Sequence, residues 1–366
     1  MRRRLRLTLL VARPAVVFLL AMSGLVGLAL AGRADDPAAV VRLLVEVTAF
    51  VVYAVCLNDL ADLAVDRVNL PGDRARPLVT GAAASRDAQL LAAGAAVVTV
   101  SAAATQGLAA VALTLGGLVV AAAYSLPPWR LSRRGVVAPL VLPALFVGVP
   151  FCLGVLAGRP LHVDDLALLV ALYVGFIGRI VLKDFRDVVG DRMFGKRTFL
   201  VRHGRAVTCA LSAGGWTGGA LLLVAATPGA TWWYAAVQGL LCVSAVALIR
   251  RLARTTDHRS EERLVSTIAI VGRAGVVCLF VQLSAAPAGA LVGMTLTVTL
   301  SGWLAAEMLR RGPRQPRVTV TDAISVSSTV ESAATGSSSS EVRGFREPAN
   351  DVTASVFGRP VPSSRQ

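Results

Sequence analysis

Long apolar stretches, separated by short arginine-rich segments, run along roughly the first 310 residues of the chain. Each stretch is close to the roughly 20 residues that an α-helix needs to cross a hydrocarbon core ~30 Å thick. The ninth and tenth stretches are the weakest, and they could instead form one interrupted element around Gly272 and Arg273. The pattern predicts ten membrane-spanning helices, at residues 14–32, 38–57, 88–106, 108–124, 136–157, 164–182, 206–226, 231–249, 264–285 and 287–309.

The composition agrees with a membrane protein. Apolar residues make up 55% of the chain and charged residues only 16%, whereas a soluble domain carries about a quarter charged residues. The five cysteines lie singly in apolar stretches, so neither a disulfide framework nor a zinc site is predicted. Glycine-rich runs such as 213–219 predict close helix packing.

The basic residues predict the orientation of the chain in the membrane. Of the 37 lysines and arginines, 28 fall in alternate loops on the side of the N-terminus, and only Arg33 and Arg159 lie in loops on the other side. Because cytoplasmic loops accumulate lysine and arginine, both termini are predicted to be cytoplasmic at the cell membrane. The net charge of +15 therefore reflects orientation, and no nucleic-acid partner is predicted.

The composition changes near residue 313 to serine, threonine, glutamate, proline and arginine, including the run Ser337–Ser340. Such a segment cannot bury enough apolar surface to fold on its own. The sequence therefore predicts a membrane domain over residues 1–312 and a disordered cytoplasmic tail over 313–366.

Two acidic motifs with the same spacing, D-x2-D-x3-D, lie at the inner ends of the second and sixth spans. On a helix, positions i, i+3 and i+7 share one face, so each motif presents a stripe of carboxylates. Four spans separate the motifs, which therefore face the same side of the membrane. The first comprises Asp59, Asp62 and Asp66 after Asn58, and the second comprises Asp184, Asp187 and Asp191 after Lys183.

Carboxylates this close together favour a cation between them. Mg²⁺ binds a few carboxylates and shares its remaining positions with water and phosphate oxygens, so two facing stripes predict metal ions and a diphosphate. The only two lysines of the chain, Lys183 and Lys196, both fall at the second motif, and lysine binds phosphate as a point charge. The alternative is that the carboxylates are solvated helix ends that pair with nearby arginines.

Three segments together resemble the UbiA superfamily of intramembrane prenyltransferases. NDLADLAVD at 58–66 resembles the family pattern NDxxDxxxD and continues into Arg76-Pro77-Leu78. KDFRDVVGDRMFGKRTF at 183–199 is similar to the second family motif, and YSLPPWRLSRRG at 124–135 to the loop after the fourth span. The motifs occur in the family's order, and the resemblance covers the chain from Arg13 to about residue 285.

The resemblance implies an all-α bundle of nine spans, or ten if the last stretch is an extra helix, around a central cavity, with both Asp-rich motifs on the cytoplasmic side. It also implies Mg²⁺-dependent transfer of a prenyl group from a polyprenyl diphosphate to an aromatic or other lipid-soluble acceptor in membrane lipid, as in quinone biosynthesis.

The resemblance also implies roles for individual residues. Tyr124 would close over the reacting carbon. Lys183 and Arg197 would grip the diphosphate, with Arg67 and Arg76 as weaker candidates. The implied metal ligands are Asn58, Asp62 and Asp66 for one Mg²⁺ and Asp187 and Asp191 for the other, with Asp59 and Asp184 close by as alternative ligands.

Other functions share these features. A terpene cyclase of the same superfamily would use the same diphosphate site without an acceptor, and a glycerol-phosphate or carotenoid prenyltransferase would differ only in its acceptor. A transporter also carries charges within its spans. It is disfavoured because the carboxylates lie at helix ends on one side of the membrane rather than near the midplane.

Overall fold

The computed structural model describes residues 13–69 and 76–284. The tenth predicted span and the predicted tail lie outside the described residues, whereas every residue proposed for the site lies within them. In this part of the chain the structure is helical apart from its turns and two strands of two residues each.

The helices follow the apolar stretches closely. A five-residue π-helical turn, Ala144–Gly148, connects α6 to α7, and short 3₁₀ turns precede β1 and α9. The helices are α1 Pro14–Leu30, α2 Pro37–Ala61, α3 Leu63–Asn69, α4 Ser85–Ala104, α5 Leu108–Ser125, α6 Val137–Pro143, α7 Val149–Leu156, α8 Val163–Ile180, α9 Asp184–Met193, α10 Phe199–Ala226, α11 Trp232–Arg254 and α12 His258–Leu283, and the strands are β1 Arg134–Gly135 and β2 Arg197–Thr198.

Eight helical stretches of the described chain are long and apolar enough to cross a membrane, and α1 is a shorter apolar helix. Two of the eight combine neighbouring elements, Val137–Leu156 and Val163–Met193. All nine predicted stretches within the described residues are therefore helical. The alternative interruption around Gly272 and Arg273 is wrong, because α12 runs through both residues without a break.

Large apolar side chains cover the outside of the bundle. Leu108, Leu221 and Val243 are 84%, 68% and 68% exposed. A soluble protein rarely exposes apolar side chains in such numbers, whereas lipid accommodates them. Together with the helix lengths, this surface identifies a multi-pass membrane protein.

Glycines allow two pairs of helices to approach closely, as the glycine-rich runs predict. A Cβ atom on Gly154 of α7 would lie 2.0 Å from the backbone oxygen of Gly24 in α1. A Cβ atom on Gly219 of α10 would lie 2.5 Å from the Cα of Gly175 in α8. Only hydrogen fits at these crossings, so the small residues fix the helix pairs α1–α7 and α8–α10.

Candidate active site

The first Asp-rich motif lies on a broken helix. Helix α2 ends at Ala61, Asp62 occupies the junction, and α3 begins at Leu63. The carbonyl oxygen of Ala61 accepts a hydrogen bond of 3.1 Å from the Arg130 guanidinium, which belongs to the loop after α5. The helix is therefore interrupted at the middle carboxylate of this motif, although Asp59 and Asp66 still share the face on which Arg76 contacts both.

Arginines lie between the carboxylates of this first motif. Asp59 accepts hydrogen bonds from Arg13 and, at 2.6 Å, from Arg76, which also bonds Asp66. Asn58 donates from its side-chain nitrogen to Asp62 at 3.2 Å. Arg76, expected from the resemblance as a weaker diphosphate ligand, thus bridges two carboxylates of its own motif.

Asp66 is an unfavourable anion in this environment. Burial raises the pKa of its carboxyl to about 6, the charges of Asp59 and Asp187 act in the same direction, and Arg76 and Arg13 oppose them. The interaction with Asp187 connects the first motif to the second. A further positive charge at this point would stabilise the ionised carboxylate.

The second motif lies on the unbroken helix α9. Asp184 and Asp191 are buried, whereas Asp187 is half-buried. Lys183, immediately before α9, donates a hydrogen bond of 2.9 Å to the Tyr124 hydroxyl, and its Nζ lies 5.6 Å from the centroid of that ring. Two residues with separately predicted roles are thus in direct contact.

Lys196 joins the two motifs. Its Nζ lies 3.1 Å from the Asp62 carboxylate and 3.5 Å from that of Asp191. Burial alone would lower the pKa of the Lys196 ammonium, but the charges of Asp62 and Asp191 more than offset burial and raise it. The family resemblance directs attention to Arg197, whereas the rarity of lysine in this chain is the signal that points to Lys196.

Asn69 forms a second connection between the motifs, and nothing in the sequence marked it. Its side-chain oxygen accepts a hydrogen bond of 2.6 Å from the backbone nitrogen of Gly190, and Asn69 is only 2% exposed. A Cβ atom on Gly190 would lie 2.6 Å from that oxygen. Helices α3 and α9 therefore meet at a contact that requires asparagine on one side and glycine on the other.

The loop after α5 completes this end of the bundle. Strand β1 in this loop pairs in parallel with β2, which follows the second motif, with Arg134 opposite Arg197 and Gly135 opposite Thr198. The segment YSLPPWRLSRRG thereby supplies Tyr124 to Lys183 and Arg130 to the break after α2. The three segments that carry the family resemblance thus meet in space.

The structure brings together most of the residues expected from the sequence. Arg67 and Arg197 are the exceptions, because both side chains are exposed and neither forms an ion pair with a motif carboxylate of the described residues. The residues that gather at this end are Asn58, Asp59, Asp62, Asp66, Arg76, Tyr124, Lys183, Asp184, Asp187 and Asp191.

The chemistry of this donor set fits a hard divalent cation. The two motifs supply six carboxylates, and the Asp191 oxygen that faces Lys196 at 3.5 Å has no hydrogen-bond partner among the described residues. As they stand, no three acidic, histidine or cysteine side chains of the described chain converge on one point, since Arg76 and Lys196 lie between the carboxylates. The donors suit Mg²⁺ in kind and number, and a metal would exchange places with these cations.

Comparison with known proteins identifies relatives over most of the chain. The model of the UbiA prenyltransferase family matches residues 20–271. A digeranylgeranylglyceryl phosphate synthase of Methanopyrus kandleri is 30% identical over 278 residues, which cover 73% of this chain and 97% of that protein. The 34 kDa chain of the bacteriochlorophyll synthase of Chloroflexus aurantiacus is 28% identical over 151 residues, 41% of this chain and 48% of that protein.

The fold is also similar to solved structures. A UbiA homologue from Archaeoglobus fulgidus, solved with GPP and Mg²⁺, superimposes with a TM-score of 0.54 at 17% sequence identity. The match covers 76% of this chain and 99% of that one. At this identity the likeness concerns the arrangement of the helices.

Proposed function

Since the chain belongs to the UbiA prenyltransferase family and is therefore an enzyme that transfers prenyl groups, we propose that it transfers one from a polyprenyl diphosphate to a lipid-soluble acceptor. The diphosphate binds between the two Asp-rich motifs with Mg²⁺ and leaves there. The acceptor is an aromatic or other apolar compound that reaches the site from the membrane.

The observation that carries this proposal is the contact between the two motifs. They are more than 100 residues apart in the chain, yet Lys196 lies within 3.5 Å of a carboxylate from each, and Asn69 bonds Gly190. Six carboxylates brought to one place repel one another and are costly near hydrocarbon. A protein retains such a cluster when the charges have a function, and binding a metal diphosphate is the function that this family performs.

The proposed metal ligands are the residues that the family resemblance implies. We assign one Mg²⁺ to Asn58, Asp62 and Asp66 and a second to Asp187 and Asp191, with Asp59 and Asp184 adjacent. Bound there, Mg²⁺ would neutralise the leaving diphosphate and so favour cleavage of the C–O bond. Lys196 and Arg76, which pair with these carboxylates, would then be available to the diphosphate oxygens.

Lys183 and Tyr124 have complementary tasks in this proposal. The Lys183 ammonium, a point charge, contacts the departing diphosphate. Tyr124 lies against Lys183, so its ring lies beside the carbon that loses the diphosphate, where an aromatic face stabilises an allylic cation. The apolar helices around this end exclude water, which would otherwise capture the cation before the acceptor does.

In our proposal, the end of the bundle that carries the two Asp-rich motifs faces the cytoplasm. The inner loops hold 28 of the 37 basic residues, and the positive-inside rule assigns such loops to the cytoplasm. This orientation gives a water-soluble cation such as Mg²⁺ direct access to the carboxylates. It also puts the N-terminus and the segment after residue 312 on the cytoplasmic side.

A second acceptor class has independent support. The Methanopyrus kandleri relative is matched over 97% of its length, and its name states a phosphate-bearing glycerol lipid as its product. An acceptor of the glycerol-phosphate class is therefore the alternative to an aromatic one.

The decisive experiment incubates purified protein with Mg²⁺ and allylic diphosphates of several chain lengths, with and without 4-hydroxybenzoate, homogentisate, dihydroxynaphthoate or a prenylglyceryl phosphate. Mass spectrometry of the products, together with release of diphosphate, identifies the acceptor. We expect product only when an acceptor is present, and product without acceptor would instead indicate a cyclase. Diphosphate release that is unchanged in Asp62→Ala and Asp187→Ala would refute the site.

A further inference from the structure

An apolar cavity lies beside helix α8, close to the end of that helix that leads into the second Asp-rich motif, and no carboxylate of either motif lines it. It contains about 620 Å³ of space free of protein atoms, including its mouth, between α1, α8, α10, α11 and α12. Most of its lining is apolar, for example Leu172, Phe176 and Leu223. We call it the arginine cavity, because Arg179 of α8 also lines it.

Hydrogen-bond donors without partners are concentrated at the arginine cavity. Arg179 Nη1 and the indole nitrogen of Trp216, both on side chains that line the cavity, are buried and have no partner among the described residues. Arg273 does not itself line the cavity, but it follows the lining residue Gly272 and its charge acts on Arg179. It is only 3% exposed, and its Nε and Nη1 have no partner among the described residues. An unsatisfied buried donor costs on the order of 1–3 kcal/mol, so the four donor atoms on these three side chains favour a ligand or water as their partner.

Two buried arginines at this place have no carboxylate partner within the described residues. The charge of Arg273 acts on Arg179, and neither of these two arginines forms an ion pair with a carboxylate of the described residues. Phe176 offers only the face of its ring to Arg179, at 5.8 Å. Buried cations are normally paired, because removing a charge from water costs several kcal/mol.

The shape of the cavity indicates what would supply the missing charge. Leu172 and Arg179 are seven residues apart on α8, so the apolar lining extends about 10 Å from the arginines along the helix. A small hydrated anion would leave that apolar space unfilled. A molecule with one acidic end and an apolar body matches both parts.

We propose that the arginine cavity is a binding site for an anionic amphiphile, whose carboxylate or phosphate pairs with Arg179 and Arg273 and whose apolar part lies along α8 between α10 and α12. Arg179 precedes Lys183 by one helical turn, about 6 Å, so the acidic end lies next to the proposed diphosphate site. Two sources have this chemistry, namely an acidic acceptor substrate and an anionic membrane lipid.

Binding is tested without reference to catalysis. Purified protein in an uncharged detergent is titrated with dodecyl phosphate, dodecanoate and uncharged dodecanol, and thermal stabilisation is measured. We expect the two anions to bind at least tenfold more tightly than dodecanol, and this preference to fall below threefold in Arg179→Gln and Arg273→Gln. Equal binding of the three compounds, or an unchanged preference in both variants, overturns the proposal and leaves water as the partner of the arginines.

Two further variants test whether the loss of anion binding is specific to the arginine cavity. Arg42→Gln is the matched control. Arg42 also lies within a span and has a buried Nε without a partner among the described residues, but it does not line the cavity. This variant should keep the full preference for the two anions over dodecanol. Arg179→Lys keeps the positive charge but lacks the planar guanidinium, so it should keep part of the preference for the anions. Since glutamine removes an unpaired charge, Arg179→Gln should fold and unfold at the same or a higher temperature without ligand.

Enzyme activity and lipid analysis distinguish an acidic acceptor from an anionic membrane lipid as the ligand. Only the interpretation as an acceptor rests on the proposed function. If the ligand is the acceptor, Arg179→Gln raises KM at least tenfold for an acidic acceptor and leaves KM for the prenyl diphosphate unchanged. If it is a membrane lipid, native mass spectrometry detects an anionic phospholipid on the wild type but not on Arg179→Gln, and both KM values are unchanged. An inactive preparation that still prefers the anions would contradict the proposed function alone.

Discussion

The two Asp-rich motifs share one spacing but differ in structure and in the cations beside them. The first is broken at Asp62 and carries arginines between its carboxylates. The second lies on an unbroken helix and is flanked by the two lysines of the chain. Arg76 contacts both Asp59 and Asp66 through one nitrogen of its planar guanidinium, whose donors have a fixed geometry, whereas an ammonium is a compact charge on a flexible side chain. The first motif is therefore the more rigidly held half, and the second supplies the adaptable contacts.

The largest expected effect tests whether the two halves nevertheless act as one site. Asp62→Asn and Asp191→Asn each remove one of the two carboxylates that contact Lys196. Loss of a group that stabilises developing charge typically costs 10²–10³-fold, so we expect each variant to lower kcat/KM for diphosphate release by about 10³-fold.

Asp35→Asn is the matched control, because Asp35 is exposed on the loop after α1, and its activity should stay within twofold of the wild type. If either motif variant retains more than about a tenth of the activity, the two motifs are not equivalent halves of a single site.

The second effect concerns two adjacent cations. Lys196→Gln removes the charge between the motifs, and we expect kcat/KM to fall about 10²-fold. Arg197→Gln alters an exposed side chain, and we expect a change of less than threefold. Parallel assays of both variants with one allylic diphosphate measure this contrast. A larger loss in Arg197→Gln would restore the role that the family resemblance gives it.

These two residues illustrate what the sequence could predict and what it could not. Apolar stretches of about 20 residues predict helices because a membrane imposes their length. The number of spans between the motifs predicts that both lie on one side of the membrane, and the structure brings them into contact through Lys196. Which cation lies beside Asp62 and Asp191 depends instead on how the segment before β2 is held where β2 pairs with β1. Successive side chains of an extended segment point to opposite sides, so Lys196 lies inward and Arg197 outward, and motif similarity carries no information on that register.

The sequence did not identify Asn69 either, for a different reason. It lies three residues after the last carboxylate of the first motif, and its importance arises from a contact with a residue 121 positions away. Unlike Asn58, it lies outside the segment 58–66 that resembles the family pattern, so nothing in the sequence marked it. Only the close approach of α3 to α9 explains why it is buried there.

The third effect tests this connection between the motifs. Asn69→Ala removes the acceptor for the Gly190 nitrogen, and Gly190→Ala introduces a Cβ atom 2.6 Å from the Asn69 oxygen. We expect each to reduce stability by about 1 kcal/mol or more, visible as a lower melting temperature, and to lower kcat about tenfold because the motifs separate.

Gly94→Ala is the control, because Gly94 lies within α4 with open space around it. Alanine is the better helix former, so this variant should be as stable as the wild type or slightly more stable. Equal melting temperatures for Gly190→Ala and Gly94→Ala would contradict the close contact between α3 and α9.

The smallest expected effect concerns the break in the first motif, which has no counterpart in the second. Arg130 donates to the carbonyl oxygen of Ala61, one of the groups left without a helical partner where α2 ends. Arg130→Ala should lower stability by about 1 kcal/mol and kcat a few-fold, because Asp62 immediately follows the unsatisfied carbonyl. Arg134→Ala, on the same loop but exposed, should change neither quantity. Equal effects of the two variants on melting temperature and kcat would mean that the break at Asp62 needs no support from the loop after α5.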